Sequence, residues 1–69
     1  MTIEGFAKRL QETRKFMNMT QQHLADKLNV HQFTVSGWER GHREPSLGML
    51  CKISKVLGCD PNYLLGFGE

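Results

Sequence analysis

Two short helical segments separated by only Asn29 and Val30 constrain the fold of this chain most strongly. Each segment is about nine residues long and has apolar residues at helical spacing along one side. These apolar residues are Leu24, Ala25 and Leu28 in the first segment and Val35 and Trp38 in the second. Because the connection is so short, the two helices must cross steeply, and the small side chain of Ala25 permits their close approach.

Three further segments show the same spacing, which gives five helices in all. Their expected inward-facing residues are Ile3, Phe6, Ala7, Leu10 and Met17 in the first helix, Leu47, Leu50, Ile53, Val56 and Leu57 in the fourth, and Tyr63, Leu64 and Leu65 in the fifth. Good N-caps stand at Thr20, Ser46 and Asp60, and residues that tolerate a left-handed conformation follow the helices at Asn18, Asn29, Gly41, Gly58 and Gly66. No window alternates with a period of two, so the sequence predicts an all-α fold in a single domain, residues 1–69.

The length and composition limit what this domain can contain. A chain of 69 residues forms only a small core, because it buries about 60% of the surface that its unfolded form exposes. No apolar run approaches the roughly 20 residues of a membrane span. Residues 1–10 mix charged and apolar side chains, unlike a secretory signal. We therefore expect neither a membrane segment nor a secretory signal, and two cysteines without a disulfide framework favour a reducing, cytoplasmic setting.

The cysteines indicate no cofactor, and the charges leave the kind of surface open. Neither Cys51 nor Cys59 stands in a C-x-x-C unit, and the histidines have no zinc-ligand spacing with them, so we expect no metal or other cofactor. Cys51 is expected to pack as a small hydrophobe. Residues 1–43 hold seven basic and four acidic side chains within a net charge of +2. That balance permits a phosphate-facing surface, although an ordinary solvated surface explains it equally well.

The chain offers little for catalysis. It has no paired-carboxylate site, no Ser or Cys placed with a base, and no glycine-rich phosphate loop. His23 and Asp26 are expected to be surface neighbours on the second helix. We therefore predict that the protein is not an enzyme, and no small-molecule ligand is evident.

The crossing pair predicts a helix-turn-helix over about residues 20–40, which presents its second helix to the major groove of DNA. Three stretches carry a resemblance to a known family: MTQQHLADKLNV at residues 19–30, TVSGWERG at residues 34–41 followed by Pro45 and Ser46, and LGCDPNYLLG at residues 57–66. Along nearly its whole length, the chain resembles the lambda repressor/Cro-like (XRE-type) helix-turn-helix family. The resemblance implies a compact five-helix bundle. It also implies a prokaryotic or phage transcription regulator, most simply a repressor, that binds a pseudo-palindromic operator of double-stranded DNA as a homodimer.

By this resemblance, the third helix enters the major groove, and its residues nearest the bases are Gln32, Phe33, Thr34 and Gly37. A glutamine amide can pair in bidentate fashion with N6 and N7 of adenine. In lambdoid repressors a glutamine at the start of the second helix braces such a residue, and Gln21 stands at the matching position. We therefore predict a hydrogen bond between Gln21 and Gln32.

Three positions on the third helix depart from the family pattern or allow two interpretations. Phe33 either contacts a thymine methyl group, or folds back under the first helix or meets a partner protein. Gly37 stands where many relatives have a longer polar side chain, so it removes that contact and lets the helix lie closer to the DNA. His31 stands where relatives often have Ser or Thr as N-cap, and it either caps weakly or donates to a phosphate when protonated.

Contacts with the DNA backbone are expected from Thr20, Gln21, His31, Ser36, Arg40, His42 and Arg43. Relatives have an Arg and a Glu at the positions of Arg14 and Glu39, as a partly buried ion pair that ties the first helix to the third. These two residues are therefore expected to have a structural role. Trp38 is expected in the core rather than stacked on bases.

The dimer surface is expected near the C-terminus, at Tyr63, Leu64, Leu65 and Phe67, which exceed what one short helix must bury. The alternative is that Tyr63 and Leu64 complete the core of the monomer. A second class of function also stays open, a protein-interaction module such as an antitoxin-type partner built on the same fold. The sequence leaves open whether the chain is a small regulator or the DNA-binding part of a longer one.

Overall fold

The computed structural model describes residues 3–66, with side chains from residue 5 onward. These residues form five α-helices and no strand, as predicted. In chain order the helices are α1 (Ile3–Phe16), α2 (Gln21–Leu28), α3 (Gln32–Glu39), α4 (Leu47–Leu57) and α5 (Pro61–Leu65). None of these helices has both the length and the apolar character that crossing a lipid bilayer requires.

The residues predicted to begin and end helices do so. The side chains of Thr20, Ser46 and Asp60 each accept a hydrogen bond from a backbone N–H two or three residues later, at 2.9–3.1 Å. Asn18 and Asn29 follow α1 and α2 in the left-handed conformation, with φ of 57° and 59°. Such caps satisfy backbone groups that a helix end would otherwise leave without partners, so the short helices have defined limits.

The helices enclose one apolar core. Its buried members are Phe6, Leu10, Leu24, Ala25, Leu28, Val35, Trp38, Leu50, Ile53, Leu57 and Leu64. The expectation for Trp38 is confirmed, because only 3% of its surface is exposed. Helix α3 packs against both α1 and α2, while α2 also packs against α4. Packing against α1 and α4 therefore supports the inner sides of α2 and α3 and fixes the shape of their outer surface.

Two predictions about α4 are wrong. Leu47 is 79% exposed rather than turned inward, and Cys51 is exposed rather than packed. These residues stand four apart in a helix and share a side with Lys55, which is also exposed. The core side of α4 is formed instead by Leu50, Ile53, Ser54 and Leu57.

Candidate nucleic-acid interface

A continuous chain of hydrogen bonds joins the start of α3 to the interior. Nε2 of Gln32 donates to Oε1 of Gln21 at 2.5 Å, and Nε2 of Gln21 donates to Oε1 of Glu39 at 3.0 Å. Glu39 also accepts two hydrogen bonds from Arg14, at 2.6 Å from Nε and 3.0 Å from Nη2. Nη1 of Arg14 donates to the backbone carbonyl of Met19 at 2.7 Å. The two predicted pairs, Gln21 with Gln32 and Arg14 with Glu39, are therefore both formed and belong to one network.

The inner end of this network is a buried ion pair. The side chains of Arg14 and Glu39 are only 8% and 1% exposed. The hydrogen bonds to Glu39 raise the pKa of the Arg14 guanidinium above its ordinary value, so the pair favours the charged form of this group. Because a buried charge without its partner is strongly unfavourable, each member of the pair holds the other in place.

The Glu39 carboxylate also determines which way round the two glutamine amides point. A carboxylate only accepts hydrogen bonds, so Gln21 turns its NH₂ group toward Glu39 and its oxygen toward Gln32. Gln32 must then donate to Gln21, which leaves Oε1 and one N–H of Gln32 without a partner among the described residues. An acceptor beside a donor is the pattern that complements the N6 and N7 atoms of adenine.

Phe33 forms the apolar part of the outer surface of α3. Its side chain is 71% exposed, which rules out the interpretation that it folds back under α1. Thr34, the next residue, is half-buried, and its N–H donates to the carbonyl of His31 at 2.9 Å. His31 is exposed and makes no capping hydrogen bond with its side chain. Phe33 therefore projects outward near the start of α3.

Gly37 has no open surface, which corrects the expectations that it lies among the residues nearest the bases and that it lets α3 lie closer to the DNA. The residue is buried, and a Cβ added to it would lie 3.0 Å from both Cγ and Cδ of Arg43 and 3.3 Å from its Nε. The N–H of His42 donates to the carbonyl of Gly37 at 2.9 Å, which holds the following loop against α3. The side chain of Arg43 thus occupies the place of a side chain at residue 37.

The residues predicted to contact phosphates lie at both ends of α3 and at the start of α2. Thr20, His31, Arg40, His42 and Arg43 are exposed, whereas Gln21 and Ser36 are half-buried. The guanidinium groups of Arg40 and Arg43 have no hydrogen bond or ion pair within residues 5–66. Two cationic groups are therefore available beside the C-terminal end of α3.

The expected dimer surface around α5 is only partly present. Leu64 is completely buried, so it completes the core of the monomer as the alternative interpretation held. Tyr63 is 41% exposed, with the guanidinium of Arg9 4.8 Å from the centre of its ring, and Leu65 is half-buried. Phe67 lies outside the described residues. An amphipathic helix of five residues can turn only some of its apolar side chains outward, and here the core takes Leu64.

Sequence reasoning missed a second aromatic residue on the same side of the molecule. Phe16 is 82% exposed and lines an open groove between α1 and α5, together with Tyr63 and the half-buried Cys59. Burial raises the pKa of the Cys59 thiol, which makes it a poor nucleophile. The exposure of Phe16 was foreseeable, because its position in the chain falls outside the three-and-four spacing of Phe6 and Leu10.

Within the described residues, no three His, Cys, Asp or Glu side chains lie close enough together to hold a metal ion.

Comparison with known proteins assigns this geometry to a family. The family model described as Helix-turn-helix matches residues 10–64. Among curated proteins, the HTH-type transcriptional regulator ImmR of Bacillus subtilis (strain 168) is 39% identical over 65 residues, which are 94% of this chain and 51% of that protein. The chain belongs to the helix-turn-helix family of the lambda repressor/Cro-like type.

Solved structures confirm the predicted five-helix bundle. The restriction-modification controller protein C.AhdI from Aeromonas hydrophila is 32% identical with a TM-score of 0.84, and the match covers 90% of this chain and 94% of that one. The P22 c2 repressor, crystallised with a synthetic operator, is 34% identical with a TM-score of 0.82, and the match covers 86% and 89% of the two chains.

The same fold also forms part of larger proteins. The chain spans about half the length of the curated relatives it matches. It also resembles part of the hydroxypropylphosphonic acid epoxidase from S. wedmorenis, with 34% identity and a TM-score of 0.86 over 91% of this chain and 34% of the epoxidase. Because one fold occurs in proteins of different activity, function must be argued from the surface of α2 and α3.

Proposed function

We propose that this domain binds a specific sequence of double-stranded DNA and regulates transcription as a repressor. The observation that carries the proposal is Gln32, held on the outer surface of α3 by Gln21 and, through it, by the buried Glu39. These hydrogen bonds leave Oε1 and one N–H of Gln32 available in the acceptor-and-donor pattern that complements adenine. The proposal is supported by the family and by the P22 c2 repressor, a relative of the same fold that was crystallised with an operator.

In this proposal α3 enters the major groove, as the second helix of a helix-turn-helix does. The free oxygen and N–H of Gln32 pair with adenine, and the exposed ring of Phe33 contacts a thymine methyl group. Because the hydrogen bonds to Gln21 exist before DNA arrives, less side-chain entropy is lost on binding. Thr34, half-buried beside them, contributes at most at the edge of this contact.

Contacts with the sugar-phosphate backbone hold α3 in register. Thr20 and Gln21 bring the N-terminal amides of α2 to a phosphate, since a helix N-terminus favours an anion. The other candidates surround α3 and are His31, Ser36, Arg40 and His42. These contacts supply affinity that falls with rising salt concentration, but they do not distinguish one sequence from another.

The proposed regulator acts in the cytoplasm as a homodimer and carries out no catalysis. A two-fold dimer would place its α3 helices one turn of DNA apart, about 34 Å, so the operator would be pseudo-palindromic. The apolar groove between α1 and α5, with Phe16 and Tyr63 exposed beside it, supports a self-complementary surface in this region. In the sequence, Leu65 and Phe67 follow closely after Tyr63, which lines this groove.

The test is selection of tight-binding duplexes from a random pool, followed by affinity measurements with Gln32→Ala. We expect a pseudo-palindrome in which the unaltered protein prefers one adenine in each half-site by roughly 5- to 150-fold, and we expect Gln32→Ala to abolish that preference. Gln22→Ala is the matched control. Gln22 is an exposed residue of α2 whose side chain donates only to Asp26, and its removal should leave affinity unchanged.

If the purified protein enriches no sequence and binds every duplex equally weakly, the DNA-binding proposal fails. The outward surface of α3 would then be better explained as contacting a protein partner, as in an antitoxin-type module.

A further inference from the structure

We propose that Arg43 contacts a guanine base in the major groove, in place of the side chain that residue 37 lacks. This makes Arg43 a residue that determines sequence specificity, rather than one that only neutralises a phosphate. The inference rests on the proposed DNA-binding function and extends it to the second half of α3. It comes from the way Arg43 and Gly37 pack against each other.

The position of residue 37 is one from which a side chain would approach the bases. Gly37 stands four residues after Phe33, and residues at that spacing lie on the same side of a helix, one turn apart. Phe33 is 71% exposed on that side, yet Gly37 is buried. What covers Gly37 is the side chain of Arg43, whose Cγ and Cδ lie 3.0 Å from where its Cβ would be.

The stem of Arg43 therefore lies across the place where a side chain at residue 37 would begin. Its Nε lies 3.3 Å from the same point, so the guanidinium also begins beside it. The loop cannot easily draw the arginine away, because the N–H of His42 donates to the carbonyl of Gly37 at 2.9 Å. A Cβ at residue 37 would crowd this stem, so glycine is the residue that lets Arg43 lie along α3.

The guanidinium has the chemistry that this place requires. It has no hydrogen bond or ion pair within residues 5–66, so its donors are available to DNA. The planar fork of an arginine pairs in bidentate fashion with O6 and N7 of guanine, which is the commonest base-specific contact in the major groove. Arg40 offers the same group, but it forms the C-cap of α3, and the three atoms nearest to the Cβ position of Gly37 all belong to Arg43.

The experiment compares Arg43→Ala with Arg40→Ala on the selected duplex and on every single base-pair substitution of it. We expect Arg43→Ala to remove the preference for one G·C pair per half-site, which in the unaltered protein is roughly 5- to 150-fold, and to leave the adenine preference of Gln32 in place. Arg40→Ala should weaken all duplexes by the same factor and make the affinity less dependent on salt. Cooperative urea unfolding of both variants shows that each is folded.

A second arm uses the unaltered protein and changes the DNA. Replacing that guanine with 7-deazaguanine removes N7 and should weaken binding by the unaltered protein several-fold. The same replacement should not weaken binding by the Arg43→Ala variant. If Arg43→Ala instead weakens every duplex equally, Arg43 contacts the backbone, and the inference is wrong while the proposed function stands. If the unaltered protein prefers no sequence at all, the proposed function and this inference fail together.

Discussion

The two ends of α3 hold their outward groups by different means. At the N-terminal end, Gln32 is fixed through Gln21 to the buried pair Glu39 and Arg14, entirely by hydrogen bonds and charge. At the C-terminal end, Arg43 is held by the contact of its aliphatic stem with the backbone of Gly37. The interior of the protein thus positions the Gln32 amide, whereas a surface contact between α3 and the following loop positions the Arg43 side chain.

This difference has consequences for binding. The orientation of the Gln32 amide is set before DNA is bound, whereas the Arg43 guanidinium has no hydrogen bond or ion pair within residues 5–66 that would orient it. Immobilising such a side chain costs about 0.5–1.5 kcal/mol. A change in the core should therefore alter recognition at the first end of α3 and leave the second end largely unaffected. Three single substitutions and one paired replacement test this contrast.

The largest effect is expected from Glu39→Ala. The substitution leaves the Arg14 guanidinium buried without its partner and removes the acceptor that orients Gln21, which should lower the free energy of unfolding by about 3–5 kcal/mol. Urea unfolding followed by circular dichroism measures it. Glu44→Ala, at an exposed residue of the next loop, is the control and should change the unfolding free energy by less than about 0.5 kcal/mol.

A paired replacement separates stability from orientation. Replacing a buried ion pair by apolar residues of similar size is often neutral for stability, so the double variant Arg14→Met with Glu39→Leu should recover most of the loss. It still lacks an acceptor for Gln21, so it should discriminate less at the adenine while keeping its preference at the guanine. Equal loss at both bases would contradict the contrast between the two ends.

The sequence predicted most of the fold because the signals involved are local. Caps such as Thr20 and the left-handed Asn29 act within a few residues of themselves, and apolar spacing marks the inner side of each helix. What it could not predict depends on how the helices pack together. Leu64 lies in the core although Tyr63 beside it is 41% exposed, and no local pattern distinguishes them.

The candidate site shows the same division. The hydrogen bond between Gln21 and Gln32 followed from a resemblance, but the contact of Gln21 with Glu39 joins residues 18 positions apart and required the folded chain. Likewise the sequence shows Gly37 only as a missing side chain. That Arg43 fills the space depends on the path of the loop after α3, which no spacing rule describes.

A smaller effect is expected from Gln21→Ala, measured as discrimination at the adenine. Without Gln21 the amide of Gln32 can rotate and present either polarity, so discrimination should fall by roughly tenfold. The same substitution made together with Gln32→Ala should cost nothing further at that base pair. If the two losses were fully additive, Gln21 would act independently of Gln32, for instance only through a phosphate. Neither variant should change the preference at the guanine.

The smallest effect is expected from Gly37→Ala, and its sign is informative. Alanine in place of glycine within a helix stabilises it by up to about 1 kcal/mol, but here the new Cβ meets Cγ and Cδ of Arg43 at 3.0 Å. Because that stem is exposed and flexible, it can move by a few tenths of an ångström, so the unfolding free energy should still rise, by less than the full amount. In an Arg43→Ala background the full gain should appear, and Gly48→Ala, at an exposed α4 residue with nothing within 4 Å, gives an uncrowded comparison. Displacement of Arg43 by the new Cβ should also lower the preference for the guanine a few-fold and leave the preference for the adenine intact. An unchanged guanine preference would mean that the contact with Gly37 does not direct Arg43.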